Sequence, residues 1–342
     1  MWQEALAAVG NSYEITLIYI AFAFGCNIGC SVIVSQLFGA KKWKDLKTAV
    51  STTFIASAVL CLLLTVLGLT FGRQMLDLIQ TPDNIMEDSA LYLSIYTAGL
   101  VFLFFYNIAT GIFSALGDSK TPFLFLAISS TANIAVDIFF VTVLHMGVSG
   151  VAWATFLCQG ISCVLAILVV FGRLKKLPVA GKHVWFSGRI FKKIAVIAVP
   201  SILQQSFVSI GNIFVQGLIN SFGSSVIAGY SAAIKLNTFT ITSFTTLGNG
   251  ISSFTAQNIG AGKPERAKAT LGCAIAITLG FTSLIVILVE FLAEPMVGLF
   301  TPDDTVIHSG GQYLRGYIWD CFFAGVQFSF SGYFCAIGRS GL

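Results

Sequence analysis

The 342 residues are 56% hydrophobic and 10% charged, with 31 Phe and a formal net charge of +4. A soluble domain carries about 25% charged residues, so this composition excludes an ordinary soluble protein. Apolar runs reach about 20 residues, the length an α-helix needs to cross a roughly 30 Å hydrocarbon core, and they are continuous rather than alternating, which excludes a spanning β-barrel. The expected class is an all-α polytopic membrane protein.

In chain order, nine spanning helices are expected, at about 13–37, 48–71, 91–116, 123–145, 149–171, 195–219, 228–256, 267–292 and 313–338. The connections are short and carry turn chemistry, as in Gly39-Ala40-Lys41, Thr81-Pro82-Asp83-Asn84, Gly117-Asp118-Ser119-Lys120 and Gly147-Val148-Ser149-Gly150. Residues 172–193 form the one long connector, and it is basic. The eight cysteines lie in or beside apolar segments with no CxxC pair, the pattern of small buried hydrophobes.

Charge gives the orientation. One set of alternate loops holds 16 of the 19 Lys and Arg, from Lys41 and Lys42 through Arg173, Lys192 and Lys193 to Arg339. The other set holds Asp83, Glu87, Asp88, Asp303 and Asp304. Basic loops face the cytoplasm, so the net charge follows from topology and does not argue for nucleic acid.

The chain repeats itself. Residues 35–47 return as 256–268, with Gln36, Gly39 and Lys42 matched by Gln257, Gly260 and Lys263 at an offset of 221. Thr81-Pro82-Asp83 returns as Thr301-Pro302-Asp303, Tyr92 as Tyr313, Tyr96 as Tyr317, and Ala115, Gly117 and Ser119 as Ala336, Gly338 and Ser340. A duplicated membrane unit is expected. An even number of spans per unit relates the halves by a two-fold axis along the membrane normal. The lobes are expected at 1–171 and 194–342, joined by the basic connector 172–193.

Ionisable residues inside spans are costly and mark function by default. Here they are Glu14, Asp137, Lys235, Glu290 and Asp320. Asp137 lies in mid-span with Asn133 four residues earlier on the same face. A carboxylate beside a carboxamide can bind Na⁺ through oxygens or take a proton, and the next span offers Thr155 as a further oxygen. The alternative is a structural hydrogen-bonded pair that locks two helices. Glu14 and Lys235 occupy equivalent repeat positions with inverted sign, and both are candidates to line a central cavity, as is Asp320.

Taken together, Leu6 to Gly10, Gln36 to Ala40, Ala115 to Pro122, Asn133-x-x-x-Asp137 and Gly147 to Thr155 resemble a multidrug and toxic compound extrusion (MATE) transporter across essentially the whole chain. The resemblance implies two six-helix lobes and export of organic, often cationic compounds driven by inward Na⁺ or H⁺. It maps the family's cation site onto Asn133, Asp137 and Thr155, with a fourth-helix tyrosine at Tyr92. The family's first-helix acid has no counterpart here. A seventh-helix glutamate is also missing, with Gln204 and Gln205 the polar residues offered instead. Nine of twelve helices are accounted for, so one more before Met1 and two after Leu342 are expected from the repeat. No cofactor beyond Na⁺ or H⁺ is expected. The expected partners are a small organic substrate and the bilayer, with no nucleic acid, in a monomer of the cell membrane.

A flippase for lipid-linked sugars shares the two-lobed fold and is the alternative function. An intramembrane enzyme lacks HExxH, GxSxG or paired carboxylates, and a channel lacks a filter sequence or a ring of charge. Coupling between Glu14 and Lys235 is expected to appear as non-additivity in a double-mutant cycle on transport or stability; additive effects would show that the two do not interact in the state assayed.

Overall fold

A computed structural model describes residues 2–79, 81–178, 183–220, 224–299 and 303–339. Among these residues the secondary structure is helical. The elements are α1 (Trp2–Gly39), α2 (Trp43–Leu78), α3 (Asp83–Ala98), α4 (Leu100–Ala115), α5 (Lys120–Ile138) with a π-helical turn (Phe139–Val143), and α6 (Gly147–Lys175). Then follow α7 (Gly188–Asn220), α8 (Ser224–Gly260), α9 (Pro264–Gly298), α10 (Asp304–Ile318) and α11 (Asp320–Ala336).

Every expected segment falls on a helix or a consecutive pair of helical elements, with 91–116, 123–145 and 313–338 running one or two residues past the last helical turn. Among the described residues, five helices are long and apolar enough to cross a bilayer alone: Ile15–Gly39, Trp43–Leu78, Lys120–Val143, Gly147–Lys175 and Pro264–Gly298. The α3–α4 pair makes a sixth, bent by 48°. Here the structure corrects the sequence reading, which gave one unbroken span beginning at residue 91. The helix begins at Asp83, where Asp83, Glu87 and Asp88 mask its start in a hydropathy profile, and it breaks at Gly99. A Cβ at Gly99 would stand 3.0 Å from a ring carbon of Phe156, so the break seats α3–α4 against α6. Its counterpart in the repeat breaks within one residue of the same place, at Trp319 between α10 and α11.

The chain forms two compact units, Met1–Ser206 and Phe207–Leu342, so the first half of α7 packs with the first unit. In that unit α1 packs on α2, α3 and α4, and α6 packs on α3, α4 and α5. In the second, α8 packs on α9, α10 and α11. The pairings α1–α4 and α8–α11 are the most extensive in their units. The first core joins Ile15, Tyr19 and Ala23 to Cys61, Leu93 and Phe104. The second joins Ala233 and Phe244 to Val286, Val289, Leu314 and Ile318. All eight cysteines are free thiols; seven are buried, and Cys273 is the exception, exposed on α9.

The repeat extends to individual backbone hydrogen bonds. At the α1 end, Lys42 N donates to Leu37 O at 2.9 Å; at the α8 end, Lys263 N donates to Asn258 O at 2.8 Å. At the α4 end, Asp118 N donates to Phe113 O; at the α11 end, Arg339 N donates to Phe334 O, both at 2.9 Å. These closing bonds satisfy carbonyls that the helix leaves unpaired. They require a left-handed residue, which is Gly117 (φ +80°), Gly262 (φ +70°) or Gly338 (φ +78°) at three ends and Lys41 (φ +56°) at the fourth.

Small residues set the closest approaches. Gly25 and Gly29 on α1 receive Ile194, Ala198 and Ile202 of α7, and a Cβ at Gly29 would lie 2.9 Å from the Ile194 carbonyl oxygen. At the α1–α4 crossing a Cβ on Gly111 would meet Asn27 Oδ1 at 2.5 Å. At the matching α8–α11 crossing a Cβ on Gly332 would collide with the Gly248 carbonyl. Without a hydrophobic drive between helices in lipid, such close contact supplies the association energy. Gly332→Ala is therefore expected to destabilise the folded protein by about 1–3 kcal/mol through overpacking, read as a lower unfolding temperature in detergent. Gly280→Ala, on open helix surface, is the control and is expected to leave that temperature unchanged or slightly raised.

Candidate functional site

The site is built on α5 and α6. On α5, Leu126, Ser129, Ser130, Asn133 and Asp137 recur at spacings of three and four and share one face. On α6, Thr155, Cys158, Gln159 and Ser162 form the facing stripe. Tyr106 of α4 joins Leu126, Ser129, Ser130 and Asn133 from α5 and the four α6 residues in lining a cleft of about 180 Å³. A smaller pocket shares Thr155 and Gln159 and continues to Tyr96, Gly99 and Leu103.

Asp137 Oδ1 is buried with no hydrogen-bond partner among the described residues, and the buried Asn133 Nδ2 makes no close hydrogen bond, with only the Cys158 thiol beside the amide. Their side chains are only partly buried as a whole. An unpaired buried polar atom costs about 1–3 kcal/mol, and a carboxylate oxygen and an amide one helical turn apart can recover that energy together by taking a cation or a proton. A half-turn of the Asn133 amide presents its oxygen in place of its NH₂. Thr155 adds a hydroxyl from the facing helix.

Local structure explains the placement. Immediately after Asp137 the helix widens into the π turn, where Leu144 N donates to Phe139 O at 3.2 Å. Wide turns of this kind occur at functional sites because the extra residue re-aims the side chains beside it. His145 (φ +54°) and Gly147 (φ +58°) then reverse the chain into α6.

Of the residues the sequence singled out, the structure brings Asn133 and Thr155 together in the cleft and sets Asp137 one turn beyond Asn133. Tyr92 is buried among Ile95, Val148 and Ala152 and stacks on Tyr96 with ring centroids 6.2 Å apart. It does not line the cleft, yet it lies near enough to Asp137 to feel its charge, as Cys158 does. Sequence reading missed Tyr106, Ser129, Ser130, Cys158, Gln159 and Ser162; their helical spacing with Asn133 and Thr155 was the available signal. Gln204, Gln205, Lys235 and Asp320 are all exposed, on α7, α8 and α11. Asp320 lies where its charge reaches Tyr313, Tyr317 and Cys321. The side chain of Glu14 lies outside the described residues.

Comparison with known proteins follows the same lines. The family model described as MatE matches residues 3–139 and 200–341. The probable multidrug resistance protein YpnP of Bacillus subtilis is 26% identical over 336 residues, covering 98% of this chain and 75% of that protein. The FAD transporter of Shewanella oneidensis is 23% identical over 319 residues, covering 92% of this chain and 70% of that protein. Among solved structures, the outward-facing conformation of a multidrug resistance MATE family transporter of the MOP superfamily superposes with a TM-score of 0.89 at 22% identity, over 98% of this chain and 75% of the other.

Proposed function

This chain belongs to the MatE family of multi-pass membrane transporters, and we propose that it is a secondary antiporter that exports organic, often cationic compounds in exchange for Na⁺ or H⁺. The observation that supports this reading is the buried, unpartnered Asp137 Oδ1 one helical turn beyond Asn133, which lines the cleft together with Thr155. The relatives named as multidrug resistance and multidrug export proteins support the substrate class.

In this reading Asp137 carries the exchange. A cation or proton arriving from outside neutralises its carboxylate, Asn133 and Thr155 supply neutral oxygens to a bound Na⁺, and loss of that ion to the cytoplasm restores the charge. An intramembrane carboxylate differs in energy between its charged and neutral forms by several kcal/mol, which is enough to bias two conformations of the transporter. The ion is a substrate, and no resident cofactor enters the scheme. The excess of Lys and Arg in alternate loops supports cytoplasmic placement of those loops in the cell membrane.

Asp137→Asn is expected to abolish coupled efflux, so that cells retain a fluorescent dye as if the transporter were missing, while the amount of protein in the membrane is unchanged. Undiminished dye export by that variant would remove Asp137 from the mechanism. Asn133→Ala removes one neutral ligand, worth about 1 kcal/mol, and is expected to raise the half-saturating cation concentration about fivefold without abolishing export.

A further inference from the structure

The helix that carries Asn133 and Asp137 is weakly held along its length. None of the α5 residues is buried; its main packing partner is α6, with a short contact to α4. At one end the return through His145 and Gly147 ties it to α6. At the other end lies a polar knot that the transport reading does not use. Asp118 precedes α5 and caps it: Oδ1 accepts from the Lys120 and Thr121 amides, both at 3.1 Å, and Oδ2 accepts from the Thr121 hydroxyl at 2.6 Å. Arg173, in the last turn of α6, forms an ion pair with Asp118. It also donates from Nη2 to Thr121 Oγ1 at 3.1 Å and lies over the Phe113 ring of α4, 5.4 Å from the centroid. Phe113 is fully buried and packs on Phe125 of α5, centroids 6.4 Å apart. One guanidinium thus joins the ends of three helices.

We propose that Asp118 and Arg173 are positioning residues for the cation site, fixing the register of α5 against α6 so that Asn133 and Asp137 face the stripe that carries Thr155. This rests on the coupling role proposed above for Asp137. The knot belongs to the first unit by its chemistry. The second unit repeats the turn bond for bond, with Gly338 left-handed and Arg339 N bonded to Phe334 O, but it places an arginine where the first has Asp118. The ion pair persists at working pH. Burial disfavours the Asp118 charge, but the Thr121 hydroxyl and amide, the Arg173 guanidinium and the Lys120 amide outweigh it and hold the carboxyl below its ordinary range. A lowered folded value means that the stabilisation is present in full above the unfolded value of about 4 and is lost only as pH falls through the folded one.

The test compares Asp118→Asn, Arg173→Gln and the exchanged pair Asp118→Arg with Arg173→Asp. Each single variant is expected to raise the half-saturating concentration of the coupling cation roughly tenfold, the scale of losing a group that orients a ligand, while the maximal export rate stays within about twofold. The exchanged pair is expected to recover only the part of the loss that the ion pair accounts for, because an arginine side chain at position 118 cannot accept from the Lys120 and Thr121 amides. Unchanged half-saturation in the single variants overturns the proposal, and so does a loss of folded protein with normal half-saturation in what remains. Hydrogen exchange separates this from the coupling reading. The α5 amides are expected to exchange faster in both single variants even if Asp137→Asn shows that coupling runs elsewhere, and unchanged exchange overturns the knot's hold on α5 directly.

Discussion

Each unit depends on how closely two helix backbones approach at one glycine. Lipid tails are as apolar as leucine, so burial of a leucine face drives little association, and dispersion between close-packed backbones has to supply it. At the Asn27–Gly111 crossing of α1 with α4 and the Gly248–Gly332 crossing of α8 with α11, a single added carbon would reach a neighbouring oxygen. The other contacts of each unit fan out from these crossings. In the first, α1 brings Tyr19 and Cys26 into the core, and α4 carries Tyr106 to the cleft.

Against that tight frame, α5 stands apart. Four of the helices run to 35–38 residues, whereas α5 has 19 before its π turn. It presents two serines, an asparagine and an aspartate on one face while burying none of its own residues. Polar groups at membrane depth are tolerated where they line a cavity, and the cleft between α5 and α6 is such a place. Rigidity in α1, α4 and α8 and looseness in α5 divide the labour between scaffold and site.

Much of this was legible in the sequence, for identifiable reasons. The repeat was readable because helix ends are marked by small residues at fixed spacing: Gly39 and Gly260 end their helices, and Gly117 and Gly338 supply the left-handed residue that closes theirs. Lys41 shows the limit: it adopts the conformation of its counterpart Gly262 without the glycine that would announce it. Asn133 and Asp137 were readable because a charge in an apolar run has few innocent explanations. Ser129, Ser130, Gln159 and Ser162 were not, because a serine in a transmembrane helix can bond back to its own turn, as Ser201 does to Ile197 O at 2.9 Å. The bend at Gly99 was hidden because hydropathy averages across it. Tyr92 packs against Val148 and Ala152 and is not among the residues that line the cleft. Arg173 read as one basic loop residue among many, and only the fold brings it to Asp118, 55 positions earlier in the chain.

The π turn after Asp137 has a consequence for rotation. An α-helix advances about 100° per residue, and a turn that takes in one residue too many puts the segments on either side of it out of phase. The outlying end of α5 is fixed to α6 through the return at His145 and Gly147, so the phase of the whole segment from Lys120 to Ile138 is set by whether Phe139–Val143 stays wide. If the turn tightened to ordinary α spacing, α5 would roll by about 100° and lengthen by about 1.5 Å, carrying the Asn133–Asp137 face away from Thr155 and twisting the opposite end against Arg173. The helix is therefore a torsion rod clamped at both ends, with the setting of its polar face held in five residues.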